Sequence, residues 1–167
     1  MRTVLAVLWL PFIVVMLIFV WLSIDTYTGW LGPRLPQSGF TLLVLGTVLA
    51  LWCALLFVVN GGGSPHPFIA KTKRLVRIGP YELVRNPMMW GIGAVLSGLA
   101  LMLGSVGLWF GFALFVAFVL WFVPGYEEPD LLLRFGQDYK DYCNEVPRWF
   151  PRLTHHHVPH GTSPLPR

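Results

Sequence analysis

Long apolar runs separated by short polar segments dominate the pattern of this chain. Residues 4–24 and 40–59 form two such runs, and 40 consecutive uncharged residues follow at positions 87–126. A transmembrane helix needs about 20 apolar residues, because it rises about 1.5 Å per residue through a hydrocarbon core of about 30 Å. The third run would make a single helix about twice that length, so it must fold back on itself.

The fold-back is expected at Gly104-Ser105-Val106-Gly107. The pattern thus predicts four transmembrane helices, at about residues 4–24, 40–59, 88–104 and 107–125. Small residues are expected to let the third and fourth helices approach closely; these are Gly91, Gly93, Ser97 and Gly98. The predicted fold is all-α, a multi-pass transmembrane bundle of four helices with a cytoplasmic interfacial helix near the C-terminus.

Composition supports an integral membrane protein. The 167 residues are 55% hydrophobic and only 12% charged, and the mean hydropathy is +0.63. A soluble domain of this size has too small a core to hide so much apolar surface. The first apolar run is too long for a signal peptide and lacks a small-x-small cleavage site, so we expect it to be retained. Residues 1–153 are predicted to form one domain, and residues 154–167 a disordered tail.

The basic residues predict the orientation in the membrane. Ten of the twelve lie in two segments, Lys71 to Arg85 and Arg134 to Arg167, whereas the connector at residues 25–39 carries only Arg34. By the positive-inside rule, both termini and the second connector are cytoplasmic. The net charge of +4 therefore reports topology and contact with anionic headgroups, and no nucleic-acid-binding module is evident.

Neither the cysteines nor the histidines predict a metal site. Cys53 lies in the second apolar run and Cys143 in the cytoplasmic segment, so a disulfide is not expected and neither has a partner at metal-ligand spacing. His155, His156, His157 and His160 lie among prolines in the tail, a setting typical of disordered chain.

The segment before the third helix is rich in candidate chemistry. The glycine run and prolines of residues 60–67 indicate a connector, with no nucleotide-binding spacing. Gly79-Pro80 breaks the chain, residues 81–85 favour one helical turn, and Asn86 before Pro87 is a good N-cap for the third helix. Capping does not explain why Tyr81, Arg85, Asn86 and Trp90 crowd one helix mouth, where exposed amides are suited to bind a carboxylate.

A second candidate cluster follows the fourth helix. Glu127-Glu128-Pro129 is expected to end that helix, where a pair of acids opposes the helix macrodipole and so indicates a function beyond solvation. Residues 130–143 place Leu131, Phe135, Tyr139 and Tyr142 on one face, which predicts an amphipathic interfacial helix. The arginines and aromatic residues at positions 146–152 suit the headgroup region.

These elements together resemble the isoprenylcysteine carboxyl methyltransferase and phospholipid methyltransferase family of small integral membrane enzymes. The matching motifs recur in the family's order over about the last 110 residues: Ser64-Pro65-His66-Pro67, Gly79-Pro80-Tyr81, Val84-Arg85-Asn86-Pro87-Met88, Gly91, Glu127-Glu128-Pro129, Phe135-Gly136 with Tyr139 and Tyr142, and Val146-Pro147-Arg148 with Pro151. Two positions differ from many members, which have histidine at Asn86 and an aromatic residue at Met89.

The resemblance implies S-adenosylmethionine as the cofactor and a lipid or isoprenoid molecule as the methyl acceptor. It also implies a cofactor site on the cytoplasmic side that is formed by Tyr81, Asn86, Pro87, Met88, Trp90, Gly91, Glu127 and Glu128. An aromatic face such as Tyr81 or Trp90 suits the sulfonium. Glu128 suits an amine acceptor as proton acceptor, whereas Arg85 or Arg148 suits the steering of a carboxylate or thiolate.

Two other functions stay open from the sequence alone. Sterol and steroid reductases share a Tyr-x-x-x-Arg-x-Pro pattern and use a nicotinamide cofactor, although Glu127-Glu128-Pro129 and the short chain argue against this reading. A non-catalytic four-helix membrane protein would use the interfacial motifs only as anchors. The sequence does not name the acceptor, and it indicates no obligatory protein partner.

Overall fold

The computed structural model describes residues 20–62, apart from residues 22, 30 and 31, and residues 74–151. Helices hold 78% of these residues and no strand occurs among them, which confirms the predicted all-helical class. Residues 23–28 are helical and precede the other helical elements. In chain order, these are α1 (Pro36–Val59), α2 (Pro80–Leu83), α3 (Pro87–Leu103), α4 (Val106–Phe122), a π-helical turn (Val123–Glu127), α5 (Glu128–Phe135) and α6 (Gln137–Glu145).

Two continuous helical stretches are long and apolar enough to cross a membrane. They are Pro36–Val59, with 24 residues, and Val106–Phe135, with 30 residues. α3 is also apolar but has only 17 residues. The first predicted span, residues 4–24, lies for the most part outside the described residues, as does the tail at 154–167 with its histidines. The long helices support a membrane protein, and the count of four spans stays a prediction.

Two pairs of glycines bring α1 and α3 into close antiparallel contact. A Cβ atom added at Gly46 would lie 2.6 Å from the Gly91 carbonyl oxygen, and one added at Gly98 would lie 2.7 Å from the Gly39 carbonyl oxygen. No larger side chain fits at these positions unless the backbones move apart. Gly39 and Gly46 are seven residues apart on α1, as are Gly91 and Gly98 on α3, so each helix presents both of its glycines on one face.

The prediction that these small residues join the third and fourth helices was wrong for Gly91 and Gly98. α1 offers a matching pair of glycines, whereas α4 presents bulky rings on the side that meets α3. Gly93 does face α4, where an added Cβ would lie 3.5 Å from Phe112 and 3.8 Å from Phe115. The small residues therefore select α1 as the close partner of α3.

The predicted fold-back between α3 and α4 is confirmed. Gly104 ends α3 with a φ of +64°, and the Ser105 hydroxyl caps α4 by accepting a hydrogen bond from the Leu108 amide at 2.9 Å. Asp25 is 1% exposed and accepts hydrogen bonds from the Ser105 hydroxyl and, at 3.0 Å, from the Gly107 amide. A buried carboxylate thus ties the first helical residues to the start of α4.

The helix that begins at α4 does not end at the acid pair, so that prediction was wrong. Pro124 has no N–H to donate, and the chain widens into the π-helical turn, in which the Glu128 amide donates to the Val123 carbonyl five residues back. Pro129 then lies in the first turn of α5, where proline is tolerated. Glu127 and Glu128 therefore lie inside a continuous helical stretch, and the macrodipole argument does not apply to them.

The predicted amphipathic helix consists of two helices that meet at an elbow. Gly136 separates α5 from α6 with a φ of +55°, which residues with a side chain rarely adopt. The predicted apolar face is present, because Leu131 and Phe135 pack against buried Tyr139 and Tyr142. That face covers a small core of its own near the acid pair.

Candidate functional site

The connector before α3 is folded against the helices, with Tyr81 at its centre. Gly79 turns the chain with a φ of +61°, and α2 follows at once. Tyr81 is 5% exposed and packs with Cys53 of α1, while its ring lies 5.2 Å from that of Phe57 in an edge-to-face arrangement. From the other side, the Tyr142 hydroxyl donates to the Tyr81 carbonyl oxygen at 2.7 Å. Residues far apart in sequence therefore fix this segment between α1 and α6.

Residues 85–90, which form the mouth of α3 at its N-terminal end, donate hydrogen bonds to backbone carbonyls of the segment that follows α6. Three successive carbonyl oxygens, those of residues 147–149, accept hydrogen bonds from the Arg85 amide at 2.9 Å, the Asn86 side-chain amide at 3.3 Å and the Trp90 indole at 2.9 Å, respectively. Asn86 occupies the predicted N-cap position, but its side chain makes no capping hydrogen bond. The prediction of an Asn86 cap was therefore right about the position and wrong about the interaction.

Glu128 lies between two arginines. Its Oε1 is 2.9 Å from Arg85 Nη1 and 2.8 Å from Arg148 Nε, and its Oε2 is 2.5 Å from Arg148 Nη2. Such a two-point contact between a guanidinium and a carboxylate is a strong one. The Glu128 side chain is 15% exposed, that of Arg85 12% and that of Arg148 37%. The three residues for which we predicted catalytic roles thus form one cluster.

Three polar atoms at this site are buried without a well-formed hydrogen bond to any described residue. They are the Tyr81 hydroxyl, Arg85 Nε and Glu127 Oε2. Buried polar atoms are nearly always paired, because an unpaired one costs about 1–3 kcal/mol. Two hydrogen-bond donors and one acceptor are therefore available here to a polar ligand or to water.

Burial controls the ionisation of the phenols around the cluster. It raises the pKa of Tyr81 above its ordinary value, and the neighbouring Cys53 thiol adds to the effect. Burial also raises the pKa of Tyr142, against the opposing charges of Arg85 and Arg77. The phenols therefore stay neutral at physiological pH and act as hydrogen-bond donors.

The arginine at the rim of the cluster stays charged. Its hydrogen bond to Glu128 raises the pKa of the Arg148 guanidinium, against the effect of desolvation. The site therefore presents a fixed positive charge next to a bridged carboxylate.

An open cleft of about 480 Å³ lies beside the Glu128 cluster. Apolar residues of the α4–α5 stretch and polar residues of α6 both contribute to it. Its lining consists of Pro124, Glu128, Pro129, Leu132, Gln137, Tyr139, Lys140, Cys143 and Asn144. The cleft therefore reaches the Glu128 cluster from a side that combines apolar and polar surface.

The structure places the remaining predicted site residues in different surroundings. Pro87 is buried in the first turn of α3, and Met88 packs against the Cys53 and Tyr81 cluster. Gly91 packs directly against α1, because a Cβ atom added at Gly91 would lie 2.9 Å from the Ala50 amide nitrogen. Trp90 is 46% exposed. Of the predicted set, Tyr81, Arg85, Glu127, Glu128 and Arg148 are the members whose charged or hydroxyl groups define the polar centre.

The sequence reasoning missed two contacts of this centre. Arg85 Nη1 lies 2.7 Å from the Cys143 sulfur, and the Tyr142 hydroxyl joins α6 to α2. Cys143 gave no signal because it has no partner at recognisable spacing, although its position one residue after Tyr142 on a predicted amphipathic helix placed it near the site. In the part of the chain that the structure describes, no group of three or more His, Cys, Asp or Glu side chains is suited to a metal ion.

Two curated bacterial proteins are similar to the chain. The nickel-cobalt-cadmium resistance protein NccN of Alcaligenes xylosoxydans xylosoxydans is 31% identical over 126 residues, which cover 75% of this chain and 54% of that protein. The cobalt-zinc-cadmium resistance protein CzcN of Cupriavidus metallidurans is 29% identical over 133 residues, which cover 75% of this chain and 53% of that protein. The chain thus spans about half the length of these relatives. No solved structure matches it.

A family profile described as phospholipid methyltransferase matches residues 36–138. The match begins at the first residue of α1 and includes α2, α3, the acid pair and all of α5. It covers more than half of the chain, and it agrees with the apolar helices and with the resemblance carried by the motifs from Gly79 to Gly136. The chain belongs to the phospholipid methyltransferase family.

Proposed function

We propose that this protein is an integral membrane S-adenosylmethionine-dependent methyltransferase that acts on a lipid-like or isoprenoid acceptor, by methylation of a carboxyl or amine group. The family match supports methyl transfer in general. The observation that carries the cofactor assignment is the set of three buried, unsatisfied polar atoms on Tyr81, Arg85 and Glu127.

These atoms fit the cofactor in number and in kind. S-Adenosylmethionine presents a carboxylate, an ammonium group and ribose hydroxyls, and when bound it supplies an electrophilic methyl group on a sulfonium. Arg85 Nε and the Tyr81 hydroxyl are donors suited to the carboxylate, and Glu127 Oε2 is an acceptor suited to the ammonium group or to a ribose hydroxyl. Each contact would give a buried polar atom a better hydrogen-bond partner than it has among the described residues.

The rest of the site holds these groups in place. Glu128 has both oxygens occupied by Arg85 and Arg148, which suits it to orient the two guanidiniums. Arg148 is partly exposed and so is the residue placed to steer an anionic acceptor group. Pro87 and Met88 shape the apolar floor beside Tyr81. In our proposal the chain acts mainly by positioning two reactants and by excluding water, which is what an in-line displacement needs.

We further propose that the acceptor enters sideways from the bilayer, while the cofactor enters from the cytoplasm. The apolar helix α3 begins two residues after Arg85, and α4 continues through the π-helical turn to Glu128, so in our proposal a long-chain substrate reaches the polar centre without leaving hydrocarbon. Activity should then depend on acceptor chain length, since each buried methylene contributes up to about 0.8 kcal/mol. Equal activity on a short, water-soluble acceptor at matched free concentration would exclude sideways entry.

The cofactor assignment is tested by equilibrium binding to the purified protein in detergent. We expect S-adenosylhomocysteine to bind with a stoichiometry near one and NADPH not to bind. Binding of NADPH alone would support a reductase, and binding of neither would support a non-catalytic protein. Incubation with methyl-labelled cofactor and a total membrane lipid extract would then identify the acceptor from the labelled product.

The proposed orientation, with both termini cytoplasmic, is tested by cysteine labelling in intact cells. In a background without Cys53 and Cys143, Ser38→Cys should react with an impermeant thiol reagent and Thr162→Cys should react only after permeabilisation. The reverse pattern would invert the topology and move the proposed site to the other side of the membrane.

A further inference from the structure

Asn86 and Trp90 belong to the helix mouth that resembles a cofactor site, yet their polar groups are directed at the protein's own backbone. The Asn86 amide donates to the carbonyl oxygen of Arg148, and the Trp90 indole donates to that of Trp149. An indole has a single N–H donor, so Trp90 has no further hydrogen bond to offer a ligand. Its ring also packs edge-to-face on Phe150, with centroids 5.5 Å apart.

The Asn86 contact closes a ring of interactions around Arg148. The Arg148 guanidinium binds Glu128, Glu128 binds Arg85, and Arg85 is followed directly by Asn86, which holds the Arg148 carbonyl. Arg148 is thus held at its backbone and at the end of its side chain. A long side chain that is 37% exposed otherwise loses much of its defined position to rotamer freedom.

We infer that Asn86 and Trp90 are positioning residues, which act on the reaction by fixing Arg148 against Glu128 and not by contact with the cofactor. This inference rests on the proposed function, because the role of Arg148 is defined by the transfer reaction. It assigns the segment at residues 147–149 as a strap that the mouth of α3 holds in place. The strap places the Arg148 guanidinium next to the Glu128 carboxylate, which also binds Arg85.

A double-mutant cycle on Asn86 and Arg148 tests the inference. If Asn86 acts through Arg148, Asn86→Ala should lower kcat/KM for methyl transfer by about tenfold, the value that corresponds to one lost hydrogen bond of ordinary strength. In the Arg148→Ala background the same substitution should have almost no further effect. The affinity for S-adenosylhomocysteine should fall less than threefold in Asn86→Ala. Independent, multiplying effects, or a tenfold loss of affinity, would mean that Asn86 contacts the cofactor and would overturn the inference.

Trp90→Phe provides a second measurement that does not depend on how well the Asn86 variant folds. It keeps an aromatic ring, smaller than the indole, next to Phe150 and removes the N–H donor. We expect a loss in kcat/KM of severalfold that disappears in the Arg148→Ala background. The matched control is Trp109→Phe, because Trp109 packs edge-to-face on Phe112 of α4, with centroids 5.7 Å apart; its kcat/KM should stay unchanged.

Dividing each methyl-transfer rate by the concentration of protein that binds S-adenosylhomocysteine separates an effect on positioning from an effect on folding. A purely structural role would lower the amount of binding-competent protein and leave kcat of that fraction unchanged, which would overturn the inference. If the unaltered protein failed to bind S-adenosylhomocysteine, the proposed function itself would be refuted. Intact binding with multiplying effects would refute the positioning role alone.

Discussion

Neutralising the two adjacent acids should affect stability differently, with a loss for Glu128→Gln and no loss for Glu127→Gln. Glu128 is bridged by Arg85 and Arg148, whereas Glu127 Oε2 is buried without a partner among the described residues. Glu128→Gln removes the charge from a satisfied cluster. Glu127→Gln removes the charge from a site where burial of a lone carboxylate oxygen is unfavourable. Because the two residues are adjacent on one helix, a difference in stability between the two variants would result from the different hydrogen-bond partners of the two carboxylates and not from their positions along the helix.

The size of the Glu128→Gln effect follows from the exposure of its partners. Charged hydrogen bonds contribute about 1.5–3 kcal/mol when enclosed, and exposed ion pairs about 0.2–1 kcal/mol. The Arg85 side chain is 12% exposed and belongs to the first class, whereas that of Arg148 is 37% exposed and lies closer to the second. Since the glutamine oxygen still accepts one hydrogen bond, we expect a loss of about 2 kcal/mol, or about 4–8 °C in Tm.

Glu127→Gln should leave the unfolding free energy unchanged or raise it by up to about 1 kcal/mol. Its affinity for S-adenosylhomocysteine should nevertheless fall by about tenfold to a hundredfold, because a charged hydrogen bond to the ligand is lost. Thermal unfolding in detergent and calorimetric titration measure the two quantities on the same samples. Equal losses of stability in both variants, or unchanged affinity in Glu127→Gln, would refute the division of roles.

Three further predictions concern the frame around the site. Gly46→Ala should cost about 1–3 kcal/mol, because the new methyl group overlaps a backbone carbonyl of α3, whereas Gly111→Ala, which enters open space, should cost nothing measurable in the same thermal assay. The pKa values of Tyr81 and Tyr142 are higher in the folded protein than in the unfolded chain, so their contribution to stability is complete below about pH 10 and decreases as the pH rises further. The free energy of unfolding of Tyr142→Phe, measured between about pH 8 and about pH 11, should therefore decrease less with rising pH than that of the unaltered protein. Asp25→Asn should lower stability by about 1.5–3 kcal/mol through the loss of charged hydrogen bonds at the start of α4, without changing S-adenosylhomocysteine affinity in titration.

The sequence predicted those features that one segment determines by itself. The turn at Gly104 and Ser105 lies in an apolar run twice as long as a membrane span, so it had to be near the middle of that run. The partner of Gly91 and Gly98 depends instead on a second helix. Only the matching glycines of α1 decide it, and nothing local to α3 distinguishes α1 from α4.

The end of the fourth helix was mispredicted because two prolines normally indicate a break. Pro124 is accommodated by a π-helical turn, and Pro129 falls in the first turn of α5. A π-helical turn has no reliable sequence signal, since it depends on how the surrounding helices hold the widened backbone. The acid pair stays a candidate for the site, but the continuous helix removes the electrostatic reason for which it was selected.

The sequence indicated side chains that lie together around Glu128, but it did not indicate which groups each of them binds. Arg85, Glu128 and Arg148 were selected from three separate motifs, and the structure brings them together. The hydrogen bonds of Asn86 and Trp90 were not predictable, because their acceptors are backbone carbonyls. Every residue carries such a carbonyl, so a sequence cannot indicate which ones are used.

The division between satisfied and unsatisfied atoms favours a ligand site over a purely structural network. A structural network gains most when each buried polar atom has a partner, since an unpaired one costs about 1–3 kcal/mol. Here both oxygens of Glu128 and the carbonyls of residues 147–149 have partners, while Tyr81, Arg85 and Glu127 each keep one buried atom without a good one. The partnered atoms form a fixed frame, and the unpartnered atoms within it include both donors and an acceptor. Methyl transfer requires such a frame, because its rate depends on holding two reactants in line more than on any nucleophile of the protein.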